Sequence, residues 1–109
     1  MAANFDKIKA LTEGDIEALK NAEVSYGDSW RKRGGVGAFM MLARKWDRIE
    51  NQTNKQGWDM FAAIFADTSD AGLLDDIRDL RRYLLLVESF TGQVLEEANK
   101  QQNDAKVDA

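Results

Sequence analysis

Cysteine, histidine and proline are all missing from this chain of 109 residues. Without cysteine there is no disulfide framework, and zinc sites built on thiolates are excluded. Without histidine the commonest general base and the usual ligand of softer metals are gone, so any metal chemistry falls to carboxylates. The missing prolines fit an interior built of uninterrupted helices. Long apolar runs are lacking too: none approaches the roughly 18 residues of a membrane span. The N-terminus shows no basic-then-apolar signal pattern, so neither insertion nor export is expected and a cytoplasmic location is.

What remains is globular in composition, with 44% hydrophobic and 31% charged residues, which argues against disorder. The expectation is one all-α domain over 1–109, a compact bundle of four to five helices with its core in about 13–100 and a polar tail. A chain this short buries only about 60–70% of its unfolded surface, so a homo-oligomer that extends the core is plausible. The net charge of −4 repels nucleic acid overall, although a local basic patch can still hold phosphate.

The clearest helix starts at Leu73. Leu73, Ile77, Leu80, Leu84 and Val87 recur at three- and four-residue steps, the spacing of one buried stripe. Asp76 and Asp79 border that stripe, about 60° and 120° from its centre. Carboxylates at the edge of an apolar face resist desolvation and call for a cationic partner. Gly92 is expected to kink or end this helix, with a further helical segment dying out near Gln101.

Upstream, Thr12 and Asp15 resemble a capping arrangement, which predicts a helix over 13–26 with Ile16, Leu19, Ala22 and Tyr26 inward. Trp30-Arg31-Lys32-Arg33-Gly34-Gly35-Val36-Gly37 then sets three cations before three glycines. Such a stretch suits an anion at a helix N-terminus, or it is a flexible connection with solvated charges and no phosphate-loop fingerprint. The next helix is predicted over about 36–51, burying Phe39, Leu42, Ala43, Trp46 and Ile49. Glu50 projects into that apolar arc and Asp47 sits at its margin. Trp58, Met60, Phe61, Ile64 and Phe65 predict a short apolar helix that covers the core or meets another subunit.

Asp47-x-x-Glu50 and Asp76-x-x-Asp79 thus place two acidic pairs near two buried faces. Packed antiparallel, those helices would gather four carboxylates, a cluster that like-charge repulsion forbids without compensation. Mg²⁺, or Mn²⁺ in its place, would resolve it with octahedral oxygen coordination and bridge to substrate phosphates. Lys45, Arg48 and Arg82 stand near in sequence to neutralise those phosphates, and a metal-bound water would serve as nucleophile. Ordinary ion pairs within each helix, from Arg44, Arg48, Arg78 and Arg82, account for the same acids without any metal.

The order of motifs adds a likeness. Tyr26-Gly27-Asp28-Ser29-Trp30 with its basic glycine turn is followed by Arg44-Lys45-Trp46-Asp47-Arg48-Ile49-Glu50 and then by Asp76-Ile77-Arg78-Asp79-Leu80-Arg81-Arg82-Tyr83. This resembles the all-α nucleoside triphosphate pyrophosphohydrolases, the MazG-like superfamily. It is nearest to the phage and bacterial branch described as nucleotide-modification-associated, which includes dGTP-directed MazZ-like enzymes. The likeness covers roughly residues 13–100. That superfamily carries ExxE on one helix and ExxD on the next. Here aspartate takes the first place of both motifs, which shortens each ligand's reach, and the Trp58–Phe65 helix lengthens the gap between them.

The resemblance implies Mg²⁺-dependent cleavage of a (deoxy)nucleoside triphosphate to the monophosphate and pyrophosphate. It also implies homodimers or homotetramers with shared sites, working in the host cytoplasm if phage-encoded. On that reading Glu50 and Asp79 are the foremost metal ligands and catalytic groups, and Asp47 and Asp76 complete the set. Lys45, Arg48 and Arg82 take the phosphates, and Trp30 and Tyr83 offer surfaces to a base. The competing expectation is a non-catalytic helical phage accessory protein that uses Trp30–Gly37 on a protein or nucleic-acid partner.

Overall fold

A computed structural model of the chain describes residues 1–108, with side chains through Asp104. It is all-helical: α1 spans Phe5–Tyr26, α2 Gly34–Asn54, α3 Met60–Ala66 and α4 Leu73–Asp108, with a 3-10 turn at Ser29–Arg31. No described helix is long and apolar enough to cross a membrane. The chain groups into two compact units, Met1–Met40 and Met41–Ala109.

In the first unit α1 begins eight residues before the expected start. Asn4 is its N-cap, its side chain accepting a hydrogen bond from the Lys7 amide at 3.1 Å. Thr12 is not a cap: its hydroxyl bonds back to the Ile8 carbonyl at 2.9 Å, inside the helix. The helix ends at Gly27, whose φ of 60° suits glycine and whose N–H reaches the Glu23 carbonyl at 2.8 Å. The expected inward set is corrected in part. Leu19 is half-buried, but Ile16, Ala22 and Tyr26 are exposed, and the residue α1 buries fully is Asp15.

The glycines of the first turn of α2 have local reasons. Gly34 adopts φ 72°, and a Cβ on Gly37 would lie 2.7 Å from the Cβ of Arg33. They open α2 itself rather than forming a loop ahead of it.

The second unit holds the apolar core: Ile49 of α2, Ala63 and Ile64 of α3, and Leu73 of α4, with Ile77 and Leu80 packed against them. α2 runs three residues beyond its expected end because Thr53 is buried there and its hydroxyl donates to the Ile49 carbonyl at 2.7 Å. Phe39 and Trp46, expected inside, are exposed, while Leu42 and Ala43 are half-buried. The chain then turns through Gly57 at φ 67° and Trp58 at φ 65°. A left-handed tryptophan is strained by roughly 1–2 kcal/mol. It is pinned there by its N–H bond to the Thr53 carbonyl at 2.9 Å.

Asp59 caps α3 by accepting from the Ala62 amide at 3.0 Å, so the short helix starts after Trp58 and not on it. Between α3 and α4 the Asp67 carboxylate accepts from the Ser69 amide at 3.0 Å, and Gly72 tucks under the Asp67 carbonyl where any Cβ would overlap it. α4 passes through Gly92 without ending. One interior glycine costs about 1 kcal/mol, too little to break 36 helical residues.

Candidate functional site: a polar seam between α2 and α4

Leu73 opens α4 at 0% exposure, and three residues on, Asp76 is equally buried at 0%. One turn places it beside the apolar anchor, so the fold that buries Leu73 drags a carboxylate inside with it. The compensation comes from α2. Arg48 Nε donates to Asp76 Oδ1 at 2.8 Å, and Gln52 Nε2 donates to Oδ2 at 2.9 Å. One turn further along α4, Asp79 Oδ2 meets Lys45 Nζ at 2.8 Å. Both oxygens of Asp76 are therefore engaged, and no buried polar side-chain atom among the described residues lacks a partner. The cationic compensation that the position of these acids demanded is present, and its source is the facing helix.

Asp79 differs from Asp76 in being open: its side chain keeps 32% exposure and that of Lys45 22%. The Arg48 side chain is 52% exposed, so its guanidinium reaches from the buried carboxylate to water. The seam thus has a dry end, made of Asp76 and Gln52, and a wet end, made of Asp79 and Lys45. Asp75 and Arg78 form a looser pair at 3.7 Å within α4.

Lys45, Arg48, Asp76 and Asp79 are the expected site residues that the structure brings together. Asp47 and Glu50 are exposed and do not join them. Lys45, Arg48, Ile49, Gln52 and Thr53 form the inner face of α2, and helical geometry turns Glu50 and Asp47 roughly 130° and 170° from its centre. Among the described residues no group of three acidic side chains is placed to hold a metal ion. Arg82 and Tyr83 lie half-buried on α4, and Trp30 lies half-buried in the 3-10 turn of the other unit. Gln52 was missed. An uncharged residue gives no spacing signal of its own, and only its step of four from Arg48 could have marked it.

The donor set bears on a divalent cation directly. Hard cations take six or more oxygens, and Mg²⁺ is commonly held by one or two carboxylates, with waters and phosphates supplying the rest. Asp79 fits such a role, being negatively charged and solvent-accessible with a cation on one oxygen only. Asp76 does not, because Arg48 and Gln52 already claim both of its oxygens. A cage of four carboxylates is not what α2 and α4 assemble within one chain.

Comparison with protein-family models, curated proteins and solved structures finds no match for this chain.

Proposed function

We propose that the chain is a Mg²⁺-dependent hydrolase of (deoxy)nucleoside triphosphates that releases pyrophosphate at the wet end of the α2–α4 seam. The observation that carries this reading is the juxtaposition of Lys45 and Arg48 with Asp79 and Asp76 at 2.8 Å. A triphosphate with its cation needs both signs of charge side by side: carboxylate for the metal, ammonium and guanidinium for the phosphate oxygens. Asp79 holds the metal, which when bound polarises a phosphoryl oxygen and activates water. Lys45 and the exposed part of Arg48 bind phosphate, and Asp76 with Gln52 positions Arg48. Arg82 and Tyr83, on α4 with Asp79, enter the reading through the motif likeness, while Asp47 and Glu50, turned away from the seam, have no role in it. The first substrate to try is dGTP, and the setting is the cytoplasm. Self-association as a homodimer or homotetramer belongs to the same reading.

The test is a panel of nucleoside and deoxynucleoside triphosphates with Mg²⁺, assayed for pyrophosphate. One or more should be cleaved, EDTA should stop the reaction, and Asp79→Asn should abolish turnover with its helicity intact. No pyrophosphate from any nucleotide, or full activity in Asp79→Asn, refutes it.

A second reading, a non-catalytic helical module that binds a partner, is favoured by one observation. The ion pairs leave Asp76 fully satisfied, as a purely structural seam would. Pyrophosphate release in the same panel decides between them.

A further inference from the structure

α3 is two-sided. Ala63 and Ile64 face the core, while Phe61 and Phe65, one turn apart on the other side, are 70% and 76% exposed. Trp58, held in its left-handed conformation just ahead of the helix, is 61% exposed, and Met60 is 39% exposed. Helices of seven residues do not hold themselves together in water. Trp58 is held at positive φ by its backbone N–H bond to the Thr53 carbonyl, while most of the residue stays in solvent. We propose that Trp58, Met60, Phe61 and Phe65 form a self-complementary surface on which a second copy of this chain docks through its own α3.

Charge and area both point to a second copy. A two-fold contact sets each residue near its own image, so any charge at its centre would meet its like. The run Met60–Ala66 contains no charged residue at all. Asp59, between Trp58 and Met60, turns its carboxylate back onto the Ala62 amide, and Lys55 and Asp67 flank the stretch with opposite signs. At 150–250 Å² for a large aromatic side chain, the four residues leave on the order of 500 Å² exposed per copy. A symmetric pair therefore covers on the order of 1,000 Å², the lower bound for a specific interface. Three aromatic rings and one methionine are also the side chains that interface centres favour.

This inference gives a surface to the self-association named above and does not depend on catalysis. Its test reads assembly alone, so a hydrolase that fails here and a dimer that fails to hydrolyse are distinct results. The mass of the full-length chain is measured by sedimentation across a dilution series, alongside Phe61→Glu and Phe65→Glu, with circular dichroism as the check on folding. A dimer or higher even-numbered assembly is expected. Each substitution should weaken it by more than about a hundredfold, because it enters a two-fold interface twice.

Should either glutamate variant unfold, Phe61→Cys decides. The parent has no cysteine, so any disulfide must join two chains. Mild oxidation should give covalent dimer much faster than in a Lys20→Cys control on α1. A monomer at about 100 µM, assembly untouched by both glutamates, or cross-linking no faster than the control overturns the proposal.

Discussion

Replacing Asp76 by asparagine keeps the side chain's size and removes its charge, and the geometry of the seam sets the cost. Arg48 and Gln52 each donate to one carboxylate oxygen of a residue that is 0% exposed. Asparagine retains one acceptor and turns a donor toward the other. Gln52 can rotate its amide to present oxygen, so the loss that remains is the ionic part of the Arg48 bond. Hydrogen bonds to charged groups contribute about 1.5–3 kcal/mol. Because the Arg48 side chain is half exposed, solvent screening places this one in the lower part of that range, about 1.5–2 kcal/mol. Arg48→Met should cost more, about 2–3 kcal/mol, because it strands a buried carboxylate with Gln52 alone. The double variant Arg48→Met with Asp76→Leu should recover most of that, since an apolar pair of similar volume needs no desolvation. Equilibrium urea unfolding followed by circular dichroism at neutral pH measures all three. Asp76→Asn within about 0.5 kcal/mol of the parent, or a double variant no more stable than Arg48→Met alone, would refute the argument.

The turn between α3 and α4 carries two further expected outcomes. Gly72→Ala should destabilise by about 2–4 kcal/mol in the same urea assay, since the new methyl group meets a backbone carbonyl and not a flexible side chain; an unchanged midpoint would show that the turn relaxes freely. The Ser69 hydroxyl and the Ser69 amide both bond the exposed Asp67 carboxylate and hold its pKa below the ordinary value of 3.8. That contribution is complete above the ordinary carboxylate pKa and is lost as pH falls through the lowered one. A carbon-13 NMR titration should place Asp67 below 3.8 and show it rising in Ser69→Ala. An equal midpoint in both proteins would contradict the assignment.

How much of this was legible in the residues depends on what each signal measures. The first half of the stripe, Leu73, Ile77 and Leu80, was legible because burial against Ile49 and Ile64 needs only apolar groups at helical spacing. Leu84, expected in the same stripe, lies beyond that core and is exposed. The start of α1 was not, because Thr12 and Asp15 have the right types for a cap while Asn4, four residues before Ile8, caps instead. Phe39 and Trp46 show the difference between an apolar face and a covered one: periodicity reports the first and is silent on the second. The seam was half legible. Asp76 and Asp79 announced themselves by standing beside a buried stripe, but their partners did not. Lys45 and Arg48 are long and amphipathic, so they can line an inner face that hydropathy assigns to solvent. Counting acids therefore led to Asp47 and Glu50, on the opposite side of α2 from the residues that meet α4.

The two ion pairs also fix how α2 and α4 align. Lys45 with Asp79 and Arg48 with Asp76 share one antiparallel register, the residue numbers of each pair summing to 124. If α4 slid by one turn in one direction, Lys45 would face Tyr83 and Arg48 would face Leu80. In the other direction Arg48 would face Gly72, and Asp79 would lie opposite Met41. The first slip sets Asp76 against Gln52 with no cation, and the second gives Asp76 Arg44 in place of Arg48 but strips Asp79 of Lys45. An apolar seam of leucines would have accepted all three alignments at similar energy. The charges thus act as a vernier: of the three settings, only the observed one gives both Asp76 and Asp79 a cation.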